Sequence, residues 1–402
     1  MNILRKIYCR CFQKAFWLAI PLLPYRNPVV LNSCKSVGGI LKEKNIKKAL
    51  VVTDEFITKT HLADSLINSL NEAKVDFAVY DKAIPNPTIS NIENAREMYL
   101  SNNCDALVAI GGGSCIDCAK AVGARLARPK KTLRQMEGIL KIVFKPPFTV
   151  AIPTTAGTGS EVTVTTVVTD DETGHKYPIS DFPLIPDVCV HDGEITKGLP
   201  PHLTATTGMD ALTHAIEAYI GGSTTKSSRK DALGAAKLVA ENLYKAYTDG
   251  NNITARENML KAAFMAGRAF SKSYVGYCHA VAHSLGGKYH TPHGLANAVL
   301  LPYTLEAYGK NVYKKAKDIA IAMGFCQKDT PADEACKKLI EKIREMNEKM
   351  GIPQKLEGIK KEDIPELAAY ADKEANPIYP VPKLMDKHEL EKLYYDVMEE
   401  KL

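Results

Sequence analysis

Between residues 47 and 127 short apolar runs alternate with helical periodicity, and few folds accept that order. Lys48-Ala-Leu-Val-Val-Thr53 reads as a strand ending at Asp54, and Leu62, Leu66, Ile67 and Leu70 then recur at helical spacing. Asp76-Phe-Ala-Val-Tyr80 is a second strand, closed by Pro85-Asn86-Pro87, with a helix from about Ile89 to Ser101. Asp105-Ala-Leu-Val-Ala-Ile110 is a third, running into Gly111-Gly-Gly-Ser114 and a helix from Ile116 to about Ala127. Strands separated by helices pair in parallel, with the helices as crossovers. Phe148–Ile152 adds a strand, and Val162–Thr169 is strongly β-prone. From Leu199, with Pro200-Pro201 as the break, the period is helical to the C-terminus. The expected architecture is therefore an α/β domain with a Rossmann-like parallel sheet, then an all-helical domain. The expected divisions are 1–27, 28–198 and 199–402.

In such sheets ligands bind beyond the carboxyl ends of the strands. Gly112, Gly113 and Ser114 stand at that edge, where glycines admit a phosphate to the backbone and the next helix offers N–H groups and its positive dipole end. The G-x-G-x-x-G fingerprint is absent, since Ile occupies position 116. Asp117 and Lys120 in the first turns of that helix add modest support. Pro153-Thr-Thr-Ala-Gly-Thr-Gly-Ser-Glu161 is small, hydroxyl-rich and suited to wrapping a pyrophosphate, and Lys176 offers a cation nearby. Asp54 is placed either to accept from ribose hydroxyls or to cap a helix. As a ribose partner its charge repels a 2′-phosphate, which favours NAD over NADP.

Four of the ten histidines fall in His279-Ala-Val-Ala-His283-Ser-Leu-Gly-Gly-Lys-Tyr-His290-Thr-Pro-His293. His279 and His283 share a helix face at a spacing of four. Gly286 and Gly287 are expected to break that helix. Asp210 and His214 form a second pair at the same spacing. One carboxylate with two or three neutral imidazoles suits Fe(II) or Zn(II), and no thiolate spacing points to a structural zinc knot.

The net charge of +6 is spread along the chain, with no basic stripe interleaved with aromatics, so a nucleic-acid partner has no support. Ten cysteines, single apart from Cys9-x-Cys11 and Cys115-x-x-Cys118, fit a reducing cytoplasm. At the N-terminus Leu4, Ile7, Tyr8, Cys11, Ala15, Leu18 and Ala19 share one helical face, and Arg5, Lys6, Arg10, Gln13 and Lys14 the other. The apolar run Ala15–Leu23 is too short to span a bilayer. Docking on the protein body or on a partner subunit is the expected role of residues 1–25. Contact with a membrane surface is the other reading.

Taken together, the glycine loop, Pro153–Glu161, Gly208-Met-Asp-Ala-Leu-Thr-His-Ala-Ile-Glu217 and His279–Gly294 resemble the iron-dependent (group III) alcohol dehydrogenases over roughly residues 28–400. The resemblance implies a dinucleotide-binding domain, a helical domain and an active site in the cleft between them. It implies that Asp210, His214, His279 and His293 bind the metal, a choice that periodicity leaves open between His279 and His283. His283 would then be a proton relay and Phe270 a wall of the substrate pocket. Asp54, Asn86, Gly112, Gly113, Ser114, Thr154, Thr155, Thr158 and Lys176 would line the NAD site. The expected reaction passes hydride between a short-chain alcohol or diol and NAD(H), with Fe(II), or Zn(II), polarising the substrate oxygen. The expected assembly is a homodimer or higher homo-oligomer.

The chain departs from the family pattern in its longer basic N-terminus, at Ser271-Lys272-Ser273, where Lys272 is expected near the pocket, and at His191-Asp192-Gly193. Two other classes compete. One is an NAD-using sugar-phosphate lyase of the dehydroquinate synthase-like type, for which only Lys272 and Lys288 supply nearby cations. The other is a non-catalytic assembly or membrane-surface module.

Overall fold

The computed structural model describes residues 1–399. The chain opens on helix α1 (Ile3–Ala19) and divides into two compact units. One comprises residues 24–155 and 159–198, the other residues 1–23, 156–158 and 199–402.

In the first unit, helices α2 (Val37–Glu43), α3 (Glu55–Lys59), α4 (Asp64–Ala73), α5 (Ile89–Ser101), α6 (Gly113–Ala127) and α7 (Leu133–Met136) accompany nine strands. Six of these, β1 (Val29–Leu31), β2 (Lys48–Val52), β3 (Asp76–Tyr80), β4 (Ala106–Gly111), β6 (Phe148–Pro153) and β9 (Val188–Val190), form one all-parallel sheet in the order β1-β9-β6-β4-β2-β3. The central strands are buried on both faces, which is why their sequences are continuous apolar runs instead of alternating ones. A smaller sheet joins β5 (Gly138–Ile139), β8 (Lys176–Ser180) and β7 (Thr165–Thr169), with β7 and β8 antiparallel.

The strand order locates the ligand edge. The chain passes from β2 outward to β3, then returns to place β4 on the other side of β2. The direction of winding reverses between β2 and β4, and it is at such a reversal that the carboxyl edge of an open parallel sheet opens into a crevice. Asp54 follows β2 and the glycine turn follows β4, so both border it.

The second unit is helical: α1, α8 (Pro201–Ile220), α9 (Lys226–Thr248), α10 (Ile253–Ser273), α11 (Tyr277–Tyr289), α12 (His293–Tyr308), α13 (Tyr313–Ala322), α14 (Ala332–Lys349), α15 (Ile364–Ala375) and α16 (Lys387–Val397). Its core is rich in alanine, which lets helices approach closely, as at Ala211, Ala215, Ala262, Ala266, Ala280 and Ala282.

Three details differ from the sequence reading. Helix α11 runs through Gly286 and Gly287 to Tyr289 and ends at His290 in the left-handed region, φ 56°. Each glycine costs a helix only about 1 kcal/mol, which packing overrides. Residues 1–23 are part of the helical unit instead of a separate extension. Ala156–Thr158 also goes with that unit, because Gly157 lies so close to α8 that a Cβ there would stand 2.8 Å from the Thr207 carbonyl oxygen.

Candidate active site

The first unit gathers most of the predicted nucleotide residues at the carboxyl edge of its sheet. Gly111 ends β4 at φ 151°, and any side chain there would collide with Cys115, 2.4 Å from its Sγ. Gly112 is the N-cap of α6, with no side-chain cap bond, so the first-turn N–H groups and the positive end of a fifteen-residue helix suit an anion. Thr154 donates its N–H to the Gly111 carbonyl at 2.9 Å, and the Thr155 side chain lies beside Gly112. Asn86, at φ 55°, donates its N–H to Ser114 Oγ at 3.3 Å and accepts from Lys176 Nζ at 2.7 Å. Asp54 caps a helix and also borders the glycine turn. One oxygen caps α3 through the Ile57 N–H at 3.0 Å, and the other accepts from the Cys115 thiol at 3.4 Å, beside the glycine turn. Burial, then Asp54 itself, holds that thiol well above its usual range, so it stays protonated.

Two of the nucleotide candidates have other structural ties. Asp117 spends its carboxylate on Ser160 Oγ at 2.6 Å and the Val167 N–H at 3.1 Å, tying α6 to the loop after β6 and to β7. Thr158 lies in the segment that packs with the helical unit. Lys120 is likewise structural. It is buried, burial lowers it to about 8, and it donates to the carbonyls of Ser160, Thr163 and Thr165.

The helical unit brings Asp210, His214, His279 and His293 together, with one ligand atom from each inside 4.8 Å. Asp210 Oδ1 lies 3.4 Å from His293 Nε2 and 3.8 Å from His279 Nε2, and Asp210 Oδ2 lies 3.9 Å from His214 Nδ1. Ligands about 2.1 Å from a shared tetrahedral ion stand about 3.4 Å apart, so the gap is ion-sized. The electrostatics agree. His214 Nδ1 and His279 Nε2 are buried without a hydrogen-bond partner, a costly arrangement unless something electropositive fills the gap. Burial pushes His214 down to about 3 and His279 to about 4, so both rings are neutral and offer lone pairs. An Fe(II) or Zn(II) ion fits this donor set.

The surrounding residues fix the rings. Phe270 stacks on His214 at 4.3 Å and 18°, and His279 lies 4.3 Å from the same ring. Glu217 Oε2 meets His279 Nδ1 at 2.5 Å, and its two oxygens also accept the N–H groups of Gly276 at 2.8 Å and Cys278 at 2.9 Å. Burial raises Glu217 to about 7. Asn297 Nδ2 donates to Asp210 Oδ1 at 2.7 Å and lies 3.0 Å from His293 Nε2. His283 stands outside the four-residue set. Its ring stacks on His293 at 5.1 Å, and its Nδ1 lies 2.7 Å from Glu374 Oε1, which also accepts from Tyr379 Oη at 2.7 Å. Glu217, Asn297 and Glu374 were not anticipated. Glu217 carried a signal, since Asp210, His214 and Glu217 recur at i, i+4 and i+7 on α8. Asn297 follows His293 by four. Glu374 carried none, being 91 positions from His283.

Lys272 is half-buried, with Asp231 and Arg268 as its charged neighbours, and burial lowers its pKa. Lys288 lies 3.4 Å from both Asp363 and Glu366. Neither supplies the free cation that a substrate phosphate would need.

This fold and this cluster define a class, that of metal-dependent dehydrogenases built from a dinucleotide-type sheet and a helical unit. Residues 29–193 match the family "Iron-containing alcohol dehydrogenase", and residues 204–398 match "Fe-containing alcohol dehydrogenase family, C-terminal". The chain is 40% identical over 352 residues to a 1,3-propanediol dehydrogenase of Citrobacter freundii, covering 87% of this chain and 89% of the relative. It is 36% identical over 351 residues to an NAD-dependent methanol dehydrogenase of Bacillus methanolicus, covering 87% and 92%. A solved structure of 1,3-propanediol oxidoreductase superposes with a TM-score of 0.90 at 37% identity, covering 94% of this chain and all of that one. The chain belongs to the iron-containing alcohol dehydrogenase family and is an oxidoreductase acting on alcohols. That membership sets aside the lyase and the non-catalytic readings.

Proposed function

We propose that this enzyme interconverts a short-chain alcohol or diol and its aldehyde with NAD(H), using Fe(II) held by Asp210, His214, His279 and His293. Zn(II) suits the same donors. The observation that carries the reading is the pair of buried, unpartnered imidazole nitrogens facing a buried carboxylate across an ion-sized gap. When bound, the ion supplies Lewis-acid charge at the substrate oxygen, and the nicotinamide exchanges the hydride.

The chain's own residues do the rest. Glu217 holds the Nδ1 proton of His279, which keeps the Nε2 lone pair turned to the cluster. Asn297 fixes the Asp210 carboxylate, and Phe270 covers the face of His214, so the donors are ordered before anything binds. His283, with Nδ1 committed to Glu374, has Nε2 to take the proton of the substrate hydroxyl, and its half-exposed ring can return that proton to water. Asp54 accepts from the ribose hydroxyls and repels a 2′-phosphate, while Asn86, Ser114 and Lys176 hold the pyrophosphate side. The similarity to a diol dehydrogenase and to a methanol dehydrogenase supports a small substrate.

A homo-oligomer fits β1, an edge strand with Val29 and Val30 exposed. A cytoplasmic site fits ten free cysteines, mostly buried, and the described residues contain no helix long and apolar enough to cross a membrane.

The test is anaerobic NADH oxidation with a panel of short aldehydes, on apoprotein reloaded with Fe(II) or Zn(II), beside Asp210→Ala. Turnover should return with the metal, and the variant should lose both metal retention and turnover. Full activity in metal-free protein would refute the reading.

A further inference from the structure

Helix α1 is docked by its polar side. Arg5 pairs with Asp372 at 2.8 and 2.9 Å, Arg10 donates to the Val381 and Pro382 carbonyls, and Gln13 Nε2 donates to the Pro377 and Tyr379 carbonyls. Cys9 and Gln13 are buried, Phe16 packs edge-on against Tyr274, and Trp17 Nε1 donates to the Thr224 carbonyl at 3.0 Å. These contacts centre on positions 5, 9, 13 and 16, one face of the helix, with Arg10 and Trp17 reaching in from its border.

The opposite face carries the apolar stripe, and it is solvent-exposed. Leu4 is 75% exposed, Ile7 54%, Leu18 61% and, in the turn that follows, Leu22 86%, with Ile3, Tyr8 and Cys11 exposed beside them. A contiguous apolar stripe on a surface marks an interaction site. Lys6 and Lys14 are exposed along it and, among the described residues, form no ion pair with a carboxylate. The first acidic residue of the whole chain is Glu43.

We propose that this outward face of α1 docks on an anionic lipid surface. The stripe would enter the headgroup–acyl boundary while the two lysines meet lipid phosphates and carboxylates. The helix is about 26 Å long and lies along the surface. A second copy of the chain suits the stripe less well, since two such faces set Lys6 and Lys14 against their own counterparts.

The experiment is co-sedimentation of the full-length, metal-loaded enzyme with phosphatidylserine-containing vesicles and with pure phosphatidylcholine vesicles. Two variants run beside it, Lys6→Gln/Lys14→Gln and Leu4→Gln/Ile7→Gln/Leu18→Gln. The unmodified enzyme should bind the anionic vesicles preferentially and be released by salt. Each lysine removed should weaken partitioning about fivefold, and the apolar variant should lose it. Turnover and melting should be unchanged in both, because every altered side chain is exposed. Equal or absent binding to the two vesicle types, or binding that survives both sets of substitutions, would overturn the proposal. So would a sedimentation-velocity shift of the apolar variant to a smaller species, which assigns the stripe to a second copy.

Discussion

Gly294 tests whether the metal donors depend on how closely α12 approaches α8. A Cβ at position 294 would stand 2.5 Å from the Thr206 carbonyl oxygen and 2.9 Å from its carbon, both backbone atoms of a buried helix that cannot rotate away. Ordinary contact begins near 3.4 Å, so Gly294→Ala forces the helices apart by roughly 0.9 Å. His293 immediately precedes this glycine, while Asp210 and His214 lie one and two turns beyond Thr206 on the other helix. A metal site tolerates ligand displacements of about 0.2 Å, so the displacement is several times too large. Overpacking should cost about 1–3 kcal/mol, a melting decrease of about 2–4 °C per kcal/mol for a unit of this size. Metal affinity should fall by about tenfold to a hundredfold or more. Anaerobic chelator competition for Fe(II) reads the affinity and a thermal scan reads the stability. Gly287→Ala is the control, because its Cβ position meets nothing within 4 Å and it lies inside α11. That variant should be neutral or slightly stabilised, by up to about 1 kcal/mol. Gly294→Ala with the metal affinity of the unmodified protein would refute the reasoning.

Other expectations follow from single contacts. Glu217→Gln removes one of the acceptors that Gly276, Cys278 and His279 share, and should cost about 1–3 kcal/mol in denaturant titrations. Its metal affinity should fall about tenfold to a hundredfold, and unchanged affinity would remove Glu217 from the positioning role. Asp54→Gly keeps a tolerable N-cap on α3 and should raise the ratio of kcat/KM for NADP over NAD; if the unmodified enzyme already prefers NADP, Asp54 has been misread. Glu161 is buried, and burial raises it from an ordinary 4.5 to about 7. A raised folded-state value gives stability that is full below pH 4.5 and is lost as pH climbs through 7. Glu161→Gln removes this loss, so its melting temperature relative to the unmodified enzyme should rise between pH 5 and 7, by up to about 3 kcal/mol in stability. Parallel melting curves across that range would contradict the assignment.

The sheet was legible because its signal is local. Each of β2, β3 and β4 is a short apolar run followed by a helical period, and in β2 and β4 burial on both faces removes the alternation that would have confused the reading. The glycine turn and Asp54 were found by the same logic, being strand ends. Asp117 stands at a helix start that suits an anion site and a tether alike, and only the tertiary fold brings Ser160 and Val167 to its carboxylate. Gly286 and Gly287 misled because a propensity worth about 1 kcal/mol per residue is outweighed once α11 packs into an alanine-rich core.

The site itself divides between what one helix can encode and what only packing can. Asp210, His214 and Glu217 sit at i, i+4 and i+7 because all three must face the same point from α8, so their spacing is a direct consequence of helical geometry. His293 and Asn297 repeat the rule on α12. His279 and His283 obey it equally well, which is why spacing could not decide between them. The two rings differ in what stands behind each. Behind His279 is Glu217, buried and already holding two backbone N–H groups, which leaves Nε2 aimed at Asp210. Behind His283 is Glu374, half-exposed on α15, which holds a ring that reaches both His293 and solvent. On the function proposed above, the first environment suits a neutral metal donor and the second a proton path, so the same residue type at a spacing of four would serve two different tasks.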